Sequence, residues 1–394
     1  MRQYSSVFKD ESKLDINYVP PHLPHRSFQL DLLNQFFRSL IESPGKMAQR
    51  ALISGRIGTG KTVLSQHFGL QITRDAQEKG INLQYVHVNC RECKGSLFLI
   101  LQRTVSKFHP HFPKRGYSAE EILQVLVQIL DDQNIYLILT LDELDALIRN
   151  EGSEPLYNLT RIQEERPNAP RRLSLICVLR EIEHLDSLDP SSRSTLQHNI
   201  IHLAEYSRSQ LLDILSDRGN LAFRVDAVSK DVLDLIAGLA SSEGGDARYG
   251  IELLWRAGKY ADVSRLVEVS AECVRMAASS VYPTVRKEVV SSLGLHEKLF
   301  LLGVARRFKQ TDAVQMSMGE AEESYAVVCE EYGKRKLGHT QVWKCARDLS
   351  ALGVIESCLS GVGQRGKTTL ISLSRVPAVD LERELVKILS VGDK

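Results

Sequence analysis

The segment from Gly55 to Thr62, GRIGTGKT, constrains the fold of this chain more than any other feature. It matches the phosphate-loop pattern G-x-x-x-x-G-K-[ST] at every position, with a short apolar run before it and a helix-forming run from Val63 after it. Glycines let the backbone turn tightly, so that successive N–H groups face a phosphate, and the following helix adds the positive end of its dipole. A chance glycine-rich turn is a much weaker explanation in that context. The segment therefore predicts a strand, a phosphate-binding loop and a helix.

The residue types in this loop predict how it binds a nucleotide. Lys61 is expected to reach the β- and γ-phosphates of ATP, and Thr62 is expected to hold a magnesium ion. The same loop would hold ADP after hydrolysis. The other loop residues expected around the nucleotide are Gly55, Arg56, Ile57, Gly58, Thr59, Gly60 and Val63.

A second motif, LILTLDE from Leu137 to Glu143, is an apolar run that ends in two carboxylates. Asp142 is expected to bind magnesium through water, and Glu143 to orient or deprotonate the water that attacks ATP. Taken alone, the Asp–Glu pair could instead cap a helix. The phosphate loop upstream favours the catalytic interpretation. Asp145, one turn further on, is expected to be a solvated helix residue.

Short apolar runs alternate with helical patterns over the first half of the chain, which predicts an α/β domain with a parallel sheet. Residues up to about 26 are polar and rich in proline, which indicates an extended arm. An amphipathic helix is expected from Ser27 to Ile41. The five candidate strands are Ala51–Ser54, Gln84–Asn89, Tyr136–Leu141, Leu173–Leu179 and Asn199–Leu203. From Tyr206 to about Ala278 only helical patterns follow, which predicts a helical subdomain.

The C-terminal region has the pattern of a helix-turn-helix. A helical run from Gly319 to Glu331 precedes a basic turn and a second helix from His339 to Leu349. The second helix would enter the major groove of DNA. Trp343 is interpreted as a core residue. The predicted DNA contacts of the turn and second helix are Lys334, Arg335, Lys336, Thr340, Gln341, Lys344 and Arg347.

Two predicted strands, Gly353–Leu359 and Thr368–Leu373, follow these helices. The loop between them is rich in glycine and basic residues, as expected of a wing that reaches into the minor groove. An amphipathic basic helix by itself is common and usually only solvated. Two helices, a hairpin and a basic tip in this order are more specific, and they predict a winged helix. The predicted contacts of the wing are Gln364, Arg365 and Lys367.

Bulk properties narrow the class of protein but do not identify it. A chain of 394 residues is expected to form two or three domains. The net charge of +1 does not point to a nucleic-acid partner. Seven scattered cysteines fit a reducing cytoplasm, and Cys90 and Cys93 lack the further ligands of a zinc site. No apolar run approaches the roughly 20 residues that cross a bilayer, so no membrane partner is expected.

Together with these motifs, five further segments resemble the archaeal origin-recognition and cell-division-control initiators, a branch of the AAA+ ATPases with a C-terminal winged helix. The resemblance covers nearly the whole chain. It implies three domains, namely residues 1–204 as the nucleotide-binding α/β domain with its arm, 205–284 as a helical lid and 285–394 as the winged helix. The segments are Tyr18–Arg26, Val88–Arg91, Leu156–Ile162, Gly245–Arg248 and Leu253–Gly258.

The resemblance also implies roles for residues outside the two nucleotide motifs. His25, Arg26 and Tyr206 would lie near the nucleotide, and Arg248 would contact the γ-phosphate from the lid. Arg193 falls where the family has a basic residue that acts across a subunit boundary. Both Arg248 and Arg193 could instead be ordinary surface arginines.

Two features bear on activity and on DNA binding. The family's fourth strand usually ends in a polar residue, often Asn, whereas Arg180 stands there in this chain. An arginine there could still bind the γ-phosphate, as a catalytic-site residue, but it would not position water as an amide does. Slow hydrolysis is therefore expected, with ATP acting as a marker of state. The family also has a DNA-contacting insert at residues 109–117, where Lys114 and Arg115 would neutralise phosphate. A surface loop without function is an equal alternative for this segment.

These inferences lead to one favoured function and two alternatives. The favoured function is an ATP-binding initiator that binds double-stranded origin DNA at the nucleoid. Its other partners would be the replicative helicase, which it helps to load, and related initiator subunits. One alternative is a nucleotide-switched signalling ATPase whose winged helix contacts proteins. The other is a motor ATPase.

Overall fold

A computed structural model describes residues 6–113, 115–162, 166, 169–181, 199–281, 290, 292–359, 369–373 and 375–391. The chain divides into two compact units. The nucleotide unit holds Val19–Tyr206 and Gly245–Ala247, and the other unit holds the remaining residues. Among the described residues, no helix is both long enough and apolar enough to cross a membrane.

The nucleotide unit is built on a five-stranded parallel sheet with the order β2-β3-β4-β1-β5. The predicted α/β fold and all five predicted strands are confirmed, with ends that differ by at most one residue. Parallel strands require crossover connections, which explains why helices alternate with them along the chain. The strands are β1 (Arg50–Ser54), β2 (Leu83–Asn89), β3 (Tyr136–Asp142), β4 (Leu173–Leu179) and β5 (Ile200–His202).

Both faces of this sheet are buried, as is usual for parallel sheets. In β4 every residue is buried. Ile176 and Val178 point into a core shared with the first two helices, while Leu175 and Cys177 point into the core on the opposite face. The helices of this unit are α1 (Ser27–Glu42), α2 (Lys61–Glu78), α3 (Leu97–Phe108), α4 (Ala119–Asp132), α5 (Asp145–Glu151) and α6 (Glu154–Arg161).

The predicted helical subdomain is confirmed. The hydroxyl of Ser207 accepts a hydrogen bond from the N–H of Gln210, whose own side chain accepts one from Ser207 N–H. This capping box explains why a helix begins directly after Tyr206. The helices are α7 (Arg208–Ala222), α8 (Lys230–Ser242), α9 (Ala247–Val263) and α10 (Ala271–Val281).

The prediction of an extended arm was wrong for residues 6–18. They include a short 3-10 helix, Glu11–Leu14, and pack against the helical lid. The ring of Phe8 lies 4.7 Å from that of Phe223, and buried Arg218 donates hydrogen bonds to the carbonyls of Lys13 and Tyr18. Three apolar residues in a mostly polar stretch drive this packing, namely Val7, Phe8 and Leu14. The assignment of the arm to a domain of residues 1–204 stays a prediction.

The C-terminal region forms a winged helix, as predicted, but its sheet has three strands instead of two. The antiparallel order is β6-β8-β7, in which Met316 of β6 pairs with Ile371 of β8. A two-residue strand has no sequence pattern, which explains the omission. The elements are α11 (Leu295–Thr311), β6 (Met316–Ser317), α12 (Met318–Glu331), α13 (His339–Ala351), β7 (Glu356–Leu359), β8 (Thr369–Ser372) and α14 (Ala378–Val391).

Arg275 joins the lid to the winged helix within one compact unit. Its side chain is fully buried on α10, and its Nε donates to the carbonyl of Leu373 at 2.6 Å. A second nitrogen donates to the carbonyl of Ala313 at 2.5 Å, and the guanidinium lies 4.7 Å from the ring of Phe308. Removing this arginine would leave two backbone carbonyls without their partner. The boundary between residues 205–284 and 285–394 remains a prediction.

Candidate nucleotide site and candidate DNA face

The phosphate loop is shaped by glycines in the left-handed region. Gly58 has φ +78° and Gly60 has φ +87°, and Gly60 is the residue that precedes α2. A Cβ added at Gly58 would lie 2.0 Å from the carboxylate of Asp246. Only glycine fits both the backbone angle and this close approach. The turn that the motif predicts is therefore present.

Lys61 is the first residue of α2. Its ammonium group donates hydrogen bonds to the carbonyls of Gly55 and Arg56, at 2.5 and 2.7 Å. The side chain thus lies over the loop that would receive phosphate, and its charge adds to the positive end of the helix dipole. Arg56 is itself ion-paired with Glu205 across 2.5 Å, and Ile57 is half-exposed.

Asp142 and Thr62 come together beside the loop. The Thr62 hydroxyl donates to Oδ2 of Asp142 at 2.7 Å, and Nε2 of His87 lies 3.4 Å from the same oxygen. Burial opposes ionisation of Asp142, but the hydrogen bonds from His87 and Thr62 outweigh it and hold the pKa of Asp142 below its usual value. A hydroxyl beside an ionised carboxylate is a donor set that suits magnesium, which would take its other ligands from phosphate and water.

His87 was missed by the sequence analysis. It lies on β2, which pairs with β3 in parallel, so its approach to Asp142 depends on strand order. Its signal in the sequence was a polar residue between two valines of the strand, Val86 and Val88. Strand order cannot be read from that pattern, so the partnership could not be inferred.

Glu143 is held by the residue at the end of β4. A guanidinium nitrogen of Arg180 lies 2.9 Å from Oε1 of Glu143, and both side chains are partly exposed. The prediction that Asp145 is solvated was wrong. Asp145 is buried, and its carboxylate accepts a hydrogen bond from the backbone N–H of Arg180 at 3.2 Å. Asp145 therefore fixes the backbone that presents Arg180 to Glu143.

Arg26 and Tyr206 stack on one another next to the loop. The Arg26 guanidinium lies 3.9 Å from the ring of Tyr206 and donates to the carbonyls of Thr59 and Ala204, at 2.9 and 3.1 Å. Burial lowers the pKa of Arg26 and raises that of Tyr206. Arg26 thus supports the loop backbone directly. His25, the preceding residue, is exposed.

Several residues predicted from the resemblance remain predictions. Ala247, at the start of α9, donates its N–H to the carbonyl of Gly58 at 3.2 Å, and Arg248 follows it as an exposed residue. The contact of Arg248 with a γ-phosphate stays a prediction. Five further residues lie outside the described part of the chain, namely Lys114, Arg193, Gln364, Arg365 and Lys367. Arg115 is described and is exposed.

Helix α13 presents a buried face and a basic face. Val342, Ala346 and Leu349 are buried, as the sequence pattern predicts. The prediction that Trp343 is a core residue was wrong, because its side chain is 43% exposed. Its position one residue past Val342 turns it out of the apolar stripe. The candidate DNA contacts that are exposed here are Lys334, Arg335, Lys336, Thr340, Gln341, Lys344 and Arg347.

A parallel sheet with a phosphate loop after β1, a carboxylate pair at the end of β3, a helical lid and a winged helix define an AAA+ protein with a C-terminal winged-helix domain. Comparison with known families agrees. Residues 212–279 match the Cdc6 AAA+ ATPase-type lid domain, and residues 288–383 match the CDC6 C-terminal winged helix domain.

Comparison with individual proteins identifies the family. The ORC1-type DNA replication protein 2 of Sulfolobus acidocaldarius is 36% identical over 93% of this chain and 90% of its own length. The crystal structure of Cdc6p from Pyrobaculum aerophilum matches with a TM-score of 0.82 and 31% identity, covering 99% of this chain and all of that one. The Aeropyrum pernix ORC1 protein in complex with DNA matches with a TM-score of 0.65 and 28% identity over the same shares. The chain therefore belongs to the ORC1/Cdc6 family of replication initiator proteins, and the predicted resemblance is confirmed.

Replacing Lys61 by Ala is expected to weaken ATP binding by about 100-fold or more, because the loop loses the only side-chain cation that the motif directs at the phosphates. Titration with a fluorescent ATP analogue measures the effect. Lys79→Ala, at the exposed far end of the same helix, is the matched control and should bind ATP normally. Equal affinity in Lys61→Ala and Lys79→Ala would contradict the assignment of this loop.

Proposed function

We propose that this protein is an ATP-binding replication initiator that recognises double-stranded origin DNA and helps to load the replicative helicase. The observation that carries the proposal is that one chain combines a formed phosphate loop with an exposed basic helix in a winged-helix domain. Its family membership supports the same function, as does its similarity to an ORC1 protein whose structure contains DNA.

ATP and ADP are the nucleotides expected at the loop, with magnesium as the metal. Lys61 would bind the β- and γ-phosphates, and Thr62 and Asp142 would hold the ion, Asp142 through water. Magnesium would neutralise the charge that develops on the phosphates. The pair formed by Thr62 and Asp142, 2.7 Å apart, supports this assignment. Arg248 would contact the γ-phosphate from the lid.

We infer that the protein is a slow ATPase. Glu143 is the group placed to activate water, but it is ion-paired with Arg180. The ion pair directs Oε1 of Glu143 toward the guanidinium and away from an attacking water. Hydrolysis would therefore be slow, below about one turnover per second, against about 10 per second for a typical enzyme. Bound ATP would then serve mainly to signal the state of the protein to its partners.

Replacing Arg180 by Asn is expected to increase ATP turnover by about tenfold, because it releases Glu143 to act as a general base. Steady-state phosphate release at saturating ATP measures the change. In the background of Arg180→Asn, Glu143→Gln should abolish the gain. A fall in turnover together with weaker ATP binding would instead show that Arg180 binds the γ-phosphate, and would contradict this proposal.

The proposed DNA interface comprises the basic turn, helix α13 and the wing. Seven basic residues lie between Lys334 and Lys367, against the two acidic residues Asp348 and Glu356. Thr340 and Gln341 stand in the first turn of α13, where recognition helices contact base edges. Lys114 and Arg115, between α3 and α4, are a second proposed contact with DNA phosphates. Assembly with related subunits would involve Arg193.

Replacing both Arg365 and Lys367 by Ala is expected to weaken binding to duplex DNA and to reduce the slope of log K against log salt by about 1.8. The reason is that each phosphate contact contributes about 0.9 to that slope. Fluorescence anisotropy at several salt concentrations measures it. The double variant of Arg383 and Lys387, both exposed on α14, removes two charges elsewhere in the same domain and should leave the slope unchanged. Unchanged affinity in the wing variant would favour a signalling protein whose winged helix contacts proteins. In a separate assay of ATP turnover, strong stimulation by DNA would favour a motor.

A further inference from the structure

Trp343 is a large aromatic side chain on the outer side of α13. Val342, Ala346 and Leu349 fix which side of the helix faces the core. Trp343 therefore cannot turn inward without displacing that core, and the residue is 43% exposed. Exposing so much apolar surface is unfavourable in water, at roughly 25 cal/mol for each Å². Tryptophan is one of the residue types that are enriched at interaction surfaces.

The charges around Trp343 indicate the chemistry of its partner. Lys344 and Arg347 are exposed beside it, and the basic turn Lys334–Lys336 precedes the helix. The guanidinium of Arg347 lies 5.5 Å from the centre of the Trp343 ring. A neutral apolar ring among exposed cations suits a polyanion that also presents apolar groups. The major groove of DNA does so, because each thymine projects a methyl group between the phosphate backbones.

The position of Trp343 along the helix favours base edges over phosphates. It is the fifth residue of α13, and side chains in the N-terminal part of a recognition helix lie closest to the bases. Arg347, one turn further along the same side, is held over the ring by a cation–π contact. That contact reduces the number of conformations the long arginine side chain can adopt before binding.

We propose that Trp343 is a specificity-determining residue that packs against a thymine methyl group in the major groove and positions Arg347 for its DNA contact. The inference rests on the proposed function, in which α13 enters the major groove. It adds that part of the preference for a particular DNA sequence comes from an apolar contact. The cations Lys344 and Arg347 supply affinity, while Trp343 distinguishes one base pair from another.

The test uses the full-length protein and a duplex from the genomic segment that it protects in a footprint. Trp343→Ala should bind this duplex about tenfold more weakly, with an unchanged salt slope, because a neutral contact releases no counterions. Lys344→Ala should reduce the slope by about 0.9. Val327→Ala removes another exposed apolar side chain, on α12, and is the control that should bind normally. Far-ultraviolet circular dichroism and thermal unfolding verify that each variant is folded.

A second duplex with uracil in place of thymine isolates the methyl contact. Wild type should lose affinity on this duplex, and Trp343→Ala should lose clearly less. Equal losses in the two proteins would overturn the proposal, as would a Trp343→Ala variant that binds the thymine duplex normally. If the wild type binds no duplex at all, the proposed function itself fails, which is a different outcome from the failure of Trp343 alone.

Discussion

The turn between β1 and α2 is the constraint on which the rest of the structure depends. Because Gly58 has no side chain, Asp246 can pack against it, and Ala247 donates its N–H to the Gly58 carbonyl. Ala247 is also the first residue of the lid helix α9. On the other side of the loop, Arg26 donates to the carbonyl of Thr59. A ligand that reorganises this loop therefore acts directly on Arg26, Asp246 and Ala247, which belong to the same unit as the loop.

The lid, in turn, is joined to the winged helix by buried contacts. Arg275 satisfies the carbonyls of Leu373 and Ala313, and leaving a buried acceptor unsatisfied costs about 1–3 kcal/mol. Separating the two parts would break both hydrogen bonds and expose a buried guanidinium. We therefore expect the lid and the winged helix to move together. Residues 6–18 of the arm pack in the same unit as the lid and the winged helix.

Most of the correct predictions came from local patterns in the sequence. The phosphate loop, the five strands and the helix-turn-helix each depend on residues close together in the chain, so their spacing was sufficient. The sequence did not predict the contacts set by strand order or helix rotation. His87 reaches Asp142 only because β2 pairs with β3, and Arg180 reaches Glu143 only because β4 lies next to β3. Trp343 was wrongly predicted to be a core residue because the sequence does not fix how α13 is rotated against the core. In the structure Val342, Ala346 and Leu349 face the core, and Trp343 is exposed.

We expect occupancy of the nucleotide site to change how the winged helix binds DNA. The most direct measurement is the affinity for the footprinted duplex with saturating ADP and with a saturating ATP analogue that is not hydrolysed. We expect the two affinities to differ by at least about fivefold, as is usual for coupled sites, and the difference to be lost in a variant that cannot bind nucleotide. Identical affinities with both nucleotides bound would show that the two sites are not coupled.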